Sequence, residues 1–121
     1  MEKGTFISNY FEHFKRVAFD NSIEPMLLEL SNLLKSANAK GNKIIFAGNG
    51  ASATIASHCA LDFTKQAGIR AMSFNDPAIL TAYGNDYGYD QWVAKALEHY
   101  ADPGDVTCLI SSSGTSMNLI N

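Results

Sequence analysis

The sequence is poor in several features that would each define a class of protein. It has only two cysteines, Cys59 and Cys108, and they are too far apart to form a close metal-binding pair. No run approaches the ~18 apolar residues of a membrane span. Residues 1–5 lack the basic and apolar segments of a signal peptide. We therefore expect a cytoplasmic protein with reduced, buried thiols and no membrane partner.

Basic charge is also scarce. Nine Lys and Arg residues face twelve Asp and Glu residues, which gives a formal net charge of −3 and a sequence pI near 5.5. A dedicated nucleic-acid binder usually carries a strongly basic face, so we expect no direct contact with nucleic acid. A local anion site built from backbone amides is compatible with this charge.

What is present is enough apolar material for a folded domain. Hydrophobic residues make up 46% of the 121 residues and charged residues 17%. This composition is ordinary for a globular chain and excludes disorder as the main state. A length of this order predicts no more than one domain.

Two apolar stripes at helical spacing predict a helical hairpin over residues 1–41. Asn21 or Ser22 could cap the second helix, Pro25 suits its first turn, and Gly41 suits its end. Both stripes must be buried, either against the rest of the chain or against another subunit. Their members are Phe6, Tyr10, Phe11, Phe14, Val17 and Ala18 in the first helix, and Met26, Leu27, Leu30, Leu33, Leu34 and Ala37 in the second.

From residue 42 onward, short apolar runs alternate with helical stretches. Residues 44–47, 70–74 and 106–110 predict three strands, and the first and third are expected to be buried. Strands that alternate with helices imply right-handed crossovers and a mainly parallel sheet, so we expect an α/β fold over residues 42–121. The predicted helices cover residues 52–67, 78–83 and 89–100, while residues 84–88 and 102–105 are predicted to be a loop and a tight turn.

The first candidate site is the Gly-Asn-Gly loop (residues 48–52), which lies between a predicted strand and a predicted helix. Free amides and the helix dipole favour an anion at such a position. Ser52 could cap the helix or donate to a phosphate oxygen. The loop lacks the third glycine of a dinucleotide fingerprint and the Gly-Lys-Ser/Thr of a nucleotide P-loop. Taken alone, it is more often a tight turn with a serine cap.

The second candidate site is the serine loop (residues 111–116), which has the sequence Ser-Ser-Ser-Gly-Thr-Ser. Five hydroxyls around one glycine exceed what helix capping needs, and neutral donors suit a phosphate monoester. Both loops follow parallel strands at their carboxyl ends, where open α/β sheets bind ligands. Together they predict a site for a phosphorylated small molecule.

Two further features have open interpretations. His58 and Asp62 are four residues apart on a predicted helix and therefore share a face. They could form an acid–base pair, supply metal ligands, or be a solvated polar pair. Asp86 could shape a turn with Asn85, or it could accept a hydrogen bond from a sugar hydroxyl.

In combination and in order along the chain, these motifs resemble the sugar isomerase (SIS) domain family, in particular its phosphoheptose isomerase branch. The resemblance implies a flavodoxin-like parallel sheet sandwiched by helices, in a homotetramer whose interface includes the N-terminal helices. The matching motifs are Gly-Asn-Gly-Ala-Ser at 48–52, His58 with Asp62, Leu-Thr-Ala-Tyr-Gly-Asn-Asp-Tyr-Gly-Tyr at 80–89, Pro-Gly-Asp-Val at 103–106, and the serine loop.

The resemblance also implies roles for individual residues. The reaction interconverts a ketose phosphate and an aldose phosphate through an enediol, here sedoheptulose 7-phosphate and a heptose 7-phosphate for surface polysaccharides. It needs a base for the carbon-bound proton and an acid for the oxygens. The implied assignments are Asn49, Gly50 and Ser52 for contact with the substrate, Asp86 for the sugar, Ser111, Ser112, Ser113 and Ser116 for the phosphate, Asp62 and His58 for catalysis, and the same two for zinc, which some members carry.

The chain also departs from the family pattern. Asp62 stands where the family usually has a glutamate, and Ala51 stands where it often has a glycine. The second catalytic residue of the family, a histidine on a late helix, has no counterpart before Asn121. We therefore expect a chain that carries the first part of the domain and lacks the C-terminal part.

Two other functions stay open. The alternative is a non-catalytic SIS-domain protein that binds phosphosugars or regulates a partner, such as the relatives that bind the bacterial replication initiator. The third is a nucleotide-binding α/β domain, which would bind NAD or ATP in preference to sugar phosphates.

Overall fold

The computed structural model describes the backbone from Lys3 to Asn121 and the side chains from Gly4 onward. It divides into two compact units, with the boundary between Asn32 and Leu33. None of the helices within these residues is long and apolar enough to cross a membrane. The elements are α1 (Lys3–Ala18), α2 (Glu24–Ala39), β1 (Ile44–Gly48), α3 (Ala51–Lys65), β2 (Ala71–Ser73), α4 (Pro77–Tyr87), α5 (Trp92–Tyr100), β3 (Val106–Ile110) and α6 (Met117–Ile120), with a 3-10 turn at Asn21–Ile23 before α2.

The first unit contains α1 and the start of α2, and the two predicted helices are confirmed. The predicted cap at Asn21 or Ser22 is wrong, because the Asp20 carboxylate accepts a hydrogen bond from the Ser22 amide at 2.9 Å and caps the 3-10 turn. The predicted hairpin and its boundary after residue 41 remain predictions. The apolar side chains of α1 face solvent, and Phe6, Tyr10, Phe11 and Phe14 are each more than half exposed.

The second unit is built on a three-stranded parallel sheet in the order β2-β1-β3, as the alternation of strands and helices predicts. Ile44 in β1 pairs with Ala71 of β2 on one side and with Val106 of β3 on the other. Every residue of β1 is buried, because it is the central strand and helices cover both of its faces. The expected α/β class is therefore confirmed.

Successive residues of β1 point to opposite faces, and each face has its own core. Ile45 and Ala47 pack with α5 residues on one face, and Ile44 and Phe46 pack with α3 residues on the other. The first core also contains Phe74, Trp92, Val93, Ala96 and Leu119, and the second contains Leu34, Ala56, Ala60 and Ile69.

The two cysteines are unpaired, and both are half-buried against the second core rather than fully buried. Burial raises the pKa of the Cys108 thiol, and the nearby Cys59 raises it further.

The prediction that β3 is a buried strand is wrong. Its residues alternate between half-buried and exposed, and Leu109 is 45% exposed. The reason is the position of β3 at the end of the strand order, where α5 and α6 cover only part of the face on which Leu109 lies.

The predicted loop over residues 84–88 is also wrong. The α4 helix continues through Gly84, Asn85 and Asp86 to Tyr87, and it ends at Gly88, which has φ +85°. The ring of Tyr87 contacts that of Tyr83 one turn earlier, with the centroids 5.6 Å apart. Aromatic packing of this kind supports a helix through residues that are otherwise typical of turns.

The amino ends of β1 and β3 are joined by a polar clamp made of Lys43, Asp105, Asp102 and Asn42. The Lys43 ammonium lies 2.5 Å from the carboxylate of Asp105 and 2.6 Å from that of Asp102. The Asp105 side chain is only 3% exposed, and it also accepts hydrogen bonds from the backbone amides of Lys43 (2.9 Å) and Asp102 (2.8 Å). This clamp closes the predicted turn at residues 102–105.

The clamp controls the ionisation of Asp105. Burial alone would raise the pKa of this carboxyl. The two backbone amides, the Lys43 ammonium and the Asn42 side chain outweigh burial and lower the pKa to about 2. Asp105 is therefore a buried anion with its hydrogen-bonding capacity filled.

Candidate functional site

The Gly-Asn-Gly loop makes a sharp turn from β1 into α3 that depends on two glycines. A Cβ on Gly48 would lie 2.7 Å from the backbone carbonyl carbon of Ser52, so only glycine fits. Gly50 has φ +55°, which favours glycine, and it occupies the cap position of α3. The predicted capping role of Ser52 is wrong, because α3 already begins at Ala51. Among the described residues, the Ser52 hydroxyl has no hydrogen-bond partner and is free to bind a ligand.

The serine loop gathers three of its hydroxyls at the carboxyl end of β3. Ser111 Oγ lies 3.4 Å from Ser113 Oγ and 3.4 Å from Ser116 Oγ. The amides of Gly114 and Thr115 donate to Ser111 Oγ at 3.0 Å and to Ser113 Oγ at 3.2 Å, which holds the loop closed. Ser116 caps α6 by its backbone, and its side chain forms no cap bond. The loop therefore presents a compact set of neutral donors.

A pair of asparagine side chains joins the Gly-Asn-Gly loop to α6, which directly follows the serine loop. Asn49 Nδ2 donates to Asn118 Oδ1 at 2.9 Å, and Asn118 Nδ2 donates back to Asn49 Oδ1 at 2.9 Å. The hydroxyl of Tyr89 donates to the same Asn49 Oδ1 at 2.9 Å. Asn49 thus connects the Gly-Asn-Gly loop to the start of α6 and to the segment that follows α4.

Asn118 lies outside every motif of the sequence analysis, and Tyr89 ends the motif at residues 80–89 without a role assigned to it there. A signal for Asn118 was available, because it is the one polar residue among Met117, Leu119 and Ile120 at a predicted helix start. It is buried to 4% exposure. Its partner, Asn49, lies 69 residues earlier in the sequence, so no local pattern signals the pairing.

His58 and Asp62 share a face of α3, as their spacing predicts. His58 Nε2 lies 3.0 Å from Asp62 Oδ2, and the two side chains are 73% and 50% exposed. They form a surface pair that solvent can reach.

This pair falls short of a zinc site by itself. Catalytic zinc uses three protein ligands, whereas the pair supplies two. In the part of the chain that the structure describes, no group of three or more His, Cys, Asp or Glu residues could hold a metal. We therefore derive no chemical step through a metal ion.

Asp86 lies in the last turn of α4 and is exposed. Its carboxylate accepts a hydrogen bond from the neighbouring Asn85 side chain at 2.9 Å. Over residues 3–121, no hydrogen bond or ion pair joins Asp86 or the His58–Asp62 pair to either loop. The structure thus brings Asn49 together with the segment that follows the serine loop, and the roles of the other site residues remain predictions.

Comparison with known proteins agrees with this architecture. The SIS domain, as a family, matches residues 9–121, which is nearly the whole sequence. The chain therefore belongs to the SIS domain family.

Within that family, the proteins similar to this chain include phosphoheptose isomerases. Those of Aliarcobacter butzleri and Thermodesulfovibrio yellowstonii are 35% and 38% identical over 98% and 78% of this chain. The solved structures of phosphoheptose isomerase GmhA from Neisseria gonorrhoeae and of a phosphoheptose isomerase from Francisella tularensis superpose with TM-scores of 0.86 and 0.87. Their identities are 31% and 26%, over 98% and 99% of this chain.

The chain is shorter than these relatives. It spans 67% and 50% of the two sequences and 66% and 67% of the two solved chains. The family and the fold are thus established for the region that the chain covers.

Proposed function

We propose that this chain binds a sugar phosphate and forms the phosphosugar-binding part of an aldose–ketose isomerase of the phosphoheptose isomerase type. The observation that carries the proposal is the cluster of Ser111, Ser113 and Ser116 hydroxyls. It is followed two residues later by Asn118, which hydrogen-bonds to Asn49 of the Gly-Asn-Gly loop. Similarity to phosphoheptose isomerases supports sedoheptulose 7-phosphate as the substrate and a heptose 7-phosphate as the product. Such a product would serve the synthesis of heptose-containing surface polysaccharides.

In this proposal, the serine loop binds the phosphate. Ser111, Ser113 and Ser116, with Ser112 beside them, are neutral donors that hold a phosphate without the charge of a lysine or arginine. Their hydrogen bonds to the phosphate lack the ion-pair attraction that a lysine or arginine would add, so the product can leave more readily.

The sugar would lie toward Asn49, Gly50 and Ser52, with Asp86 accepting from a hydroxyl. Asp62 would remove the proton from the carbon next to the carbonyl and return it to the adjacent carbon, through an enediol. His58, 3.0 Å from Asp62, would orient that carboxylate and exchange a proton with the sugar oxygens. His58 and Asp62 would hold zinc only together with further ligands that complete its coordination shell.

Binding is tested by titrating sedoheptulose 7-phosphate into the 121-residue chain by calorimetry. We expect the double substitution Ser113→Ala with Ser116→Ala to weaken affinity by at least about tenfold, because two hydrogen bonds to a charged group are lost. The matched control is Ser36→Ala, an exposed serine on α2, which should leave affinity unchanged. Unchanged affinity in the double variant would remove the serine loop from phosphate binding.

Catalysis is tested by the incorporation of solvent deuterium into the sugar. An isomerase exchanges the proton that its base carries, and Asp62→Asn should abolish that exchange while the sugar phosphate still binds. Exchange that persists at the wild-type rate in Asp62→Asn would show that Asp62 is not the base.

A second candidate function is binding without catalysis, as in regulatory SIS-domain proteins. The exposure of the Asp62 carboxylate, at 50%, favours it, because a base open to water is a poor match for a protected proton transfer. This function would give phosphosugar binding with no deuterium exchange in the wild-type chain.

The proposal includes assembly as a cytoplasmic homotetramer through the N-terminal helices. The exposed aromatic side chains of α1 support it, because unpartnered apolar surface of this kind is typical of an interface. Light scattering coupled to gel filtration tests it with Phe11→Glu, which should dissociate the assembly. Ser8→Glu places the same charge on the same helix and is the control. A wild-type chain that elutes as a monomer would refute this part.

A further inference from the structure

Asn118 is a buried polar residue whose hydrogen bonds to Asn49 are not explained by phosphate binding or by catalysis. Only 4% of it is exposed, and it projects from the first turn of α6. Its side-chain oxygen accepts a hydrogen bond from Asn49, and its side-chain nitrogen donates one to Asn49, each at 2.9 Å. A buried amide that is satisfied through a single partner constrains the orientation of that partner.

The network leaves Asn49 with little freedom. Its Oδ1 accepts from both Asn118 Nδ2 and Tyr89 Oη, which fills the two lone pairs of that oxygen. Its Nδ2 donates one of its two hydrogens to Asn118. One N–H of Asn49 is therefore left for a ligand, and its direction is fixed by the two neighbours.

We propose that Asn118 is a positioning residue that, through the Asn49 amide, holds the Gly-Asn-Gly loop at a fixed distance from the serine loop. This inference rests on the proposed function, in which one ligand has its phosphate at the serine loop and its sugar at the Gly-Asn-Gly loop. Asn118 follows Ser116 by two residues and reaches Asn49, so it spans the two halves of that site. Tyr89 supports Asn49 from a third segment.

The test compares two probes that differ in how many loops they need. Inorganic phosphate needs only the serine loop, whereas sedoheptulose 7-phosphate needs both. In Asn118→Ala, we expect affinity for the sugar phosphate to fall about tenfold, as when one or two neutral hydrogen bonds are lost. Affinity for inorganic phosphate should change by less than about twofold.

The matched control is Asn121→Ala. Asn121 also belongs to the α6 region and donates to the backbone of Asp90 at 3.0 Å, but it is exposed and forms no hydrogen bond with Asn49. Its substitution should leave both affinities unchanged. Equal losses for both probes in Asn118→Ala, or no loss for either, would overturn the positioning role.

Asn118→Asp gives a pH-dependent readout that a loss of packing would not produce. In its protonated form, the introduced carboxyl can donate to Asn49 Oδ1 and accept from Asn49 Nδ2, as the native amide does. The ionised form loses the donor and places negative charge against Asn49 Oδ1. Burial at this position raises the pKa of the introduced carboxyl above its ordinary value of ~3.9, so the ratio of wild-type to variant affinity should rise from about pH 4 to about pH 8 as the carboxyl ionises. A constant ratio would contradict the proposal.

A ligand-free measurement separates this inference from the proposed function. If the wild-type chain binds neither probe, the proposed function fails, and hydrogen exchange decides the positioning role. The Ser52 amide donates to the Asn49 carbonyl at 3.0 Å within the Gly-Asn-Gly loop. Its exchange should be about tenfold faster in Asn118→Ala and unchanged in Asn121→Ala. Unchanged exchange in both variants would overturn the inference.

Discussion

The two ends of the parallel sheet use polar residues in opposite ways. At the amino end, Lys43 and Asp105 precede β1 and β3, and the Asp105 carboxylate is buried and fully hydrogen-bonded. At the carboxyl end, the hydroxyls that follow the same two strands lie near the surface, and that of Ser52 has no partner among the described residues.

This difference assigns stability to the amino end of the sheet and ligand binding to the carboxyl end. The Asp105 carboxylate, with its pKa lowered to about 2, stabilises the fold in its ionised form, and its filled hydrogen bonds leave no capacity for a ligand. Hydroxyls that are exposed or half-buried and lie 3.4 Å from one another add little to stability, and they are available to replace water around a phosphate. The same strands therefore carry a structural end and a binding end.

The largest effect is expected from breaking the clamp. Asp105→Asn should lower the free energy of unfolding by about 3 kcal/mol, because Lys43 loses the buried charge that compensates it. Urea denaturation measures this change. Asp102→Asn is the control, because Asp102 pairs with the same lysine but its side chain is 75% exposed. This substitution should lower the free energy of unfolding by less than about 1 kcal/mol. Equal losses of unfolding free energy in the two variants would mean that burial of Asp105 does not strengthen its pair with Lys43.

Gly48→Ala should come next, with a loss of about 2 kcal/mol. The new methyl group would lie 2.7 Å from the Ser52 backbone, so the loop and the start of α3 must shift. Thermal unfolding measures the effect. Gly84→Ala is the matched control, because a Cβ there meets nothing within 4 Å and alanine favours the α4 helix. It should raise stability by up to about 1 kcal/mol, and a loss as large as that of Gly48→Ala would contradict the steric explanation.

Acid should remove a contribution of about 2 kcal/mol from the clamp. The pKa of Asp105 in the folded chain is about 2, below the ordinary value of ~3.9. Its ionised form therefore stabilises the fold at pH values above ~3.9. The contribution is lost as pH falls from about 5 toward 2. Unfolding free energies measured across this range should show the slope in the wild type. The same slope in Asp105→Asn would assign it to other carboxyls.

The smallest stability effect is expected at the binding end. Ser113→Ala combined with Ser116→Ala should change the free energy of unfolding by less than about 1 kcal/mol, since these hydroxyls make long, partly exposed contacts. Urea denaturation under the conditions used for Asp105→Asn gives the direct contrast. A loss as large as that of Asp105→Asn would erase the distinction between the two ends.

The sequence predicts the sheet well because its signals are local. Glycines mark the end of the apolar run of β1, and the Asp-Pro-Gly-Asp turn precedes the apolar run of β3. Both strands lie where these signals place them. The end of α4 is not predicted, because Gly84 and Asn85 favour a turn in isolation and aromatic contacts of Tyr83 with Tyr87 decide otherwise.

The candidate site is predictable as loops but not as a network. The hydroxyls and glycines of the two loops are visible as patterns, and their place at one end of the sheet follows from parallel strands. Asn49 follows β1 and Asn118 follows β3, so their pairing requires that β1 and β3 lie side by side. No local sequence pattern encodes that strand order. The solvent exposure of Leu109 is likewise a property of strand order.

If the two ends differ as described, the carboxyl end of the sheet binds a sugar phosphate and the amino end does not. Titration of the isotope-labelled 121-residue chain with sedoheptulose 7-phosphate, followed by amide chemical shifts, decides between them. We expect saturable shifts at residues 48–52 and 111–116, with residues 42–43 and 102–105 unmoved. Shifts confined to the clamp, or no saturable shift at either loop, would contradict this assignment.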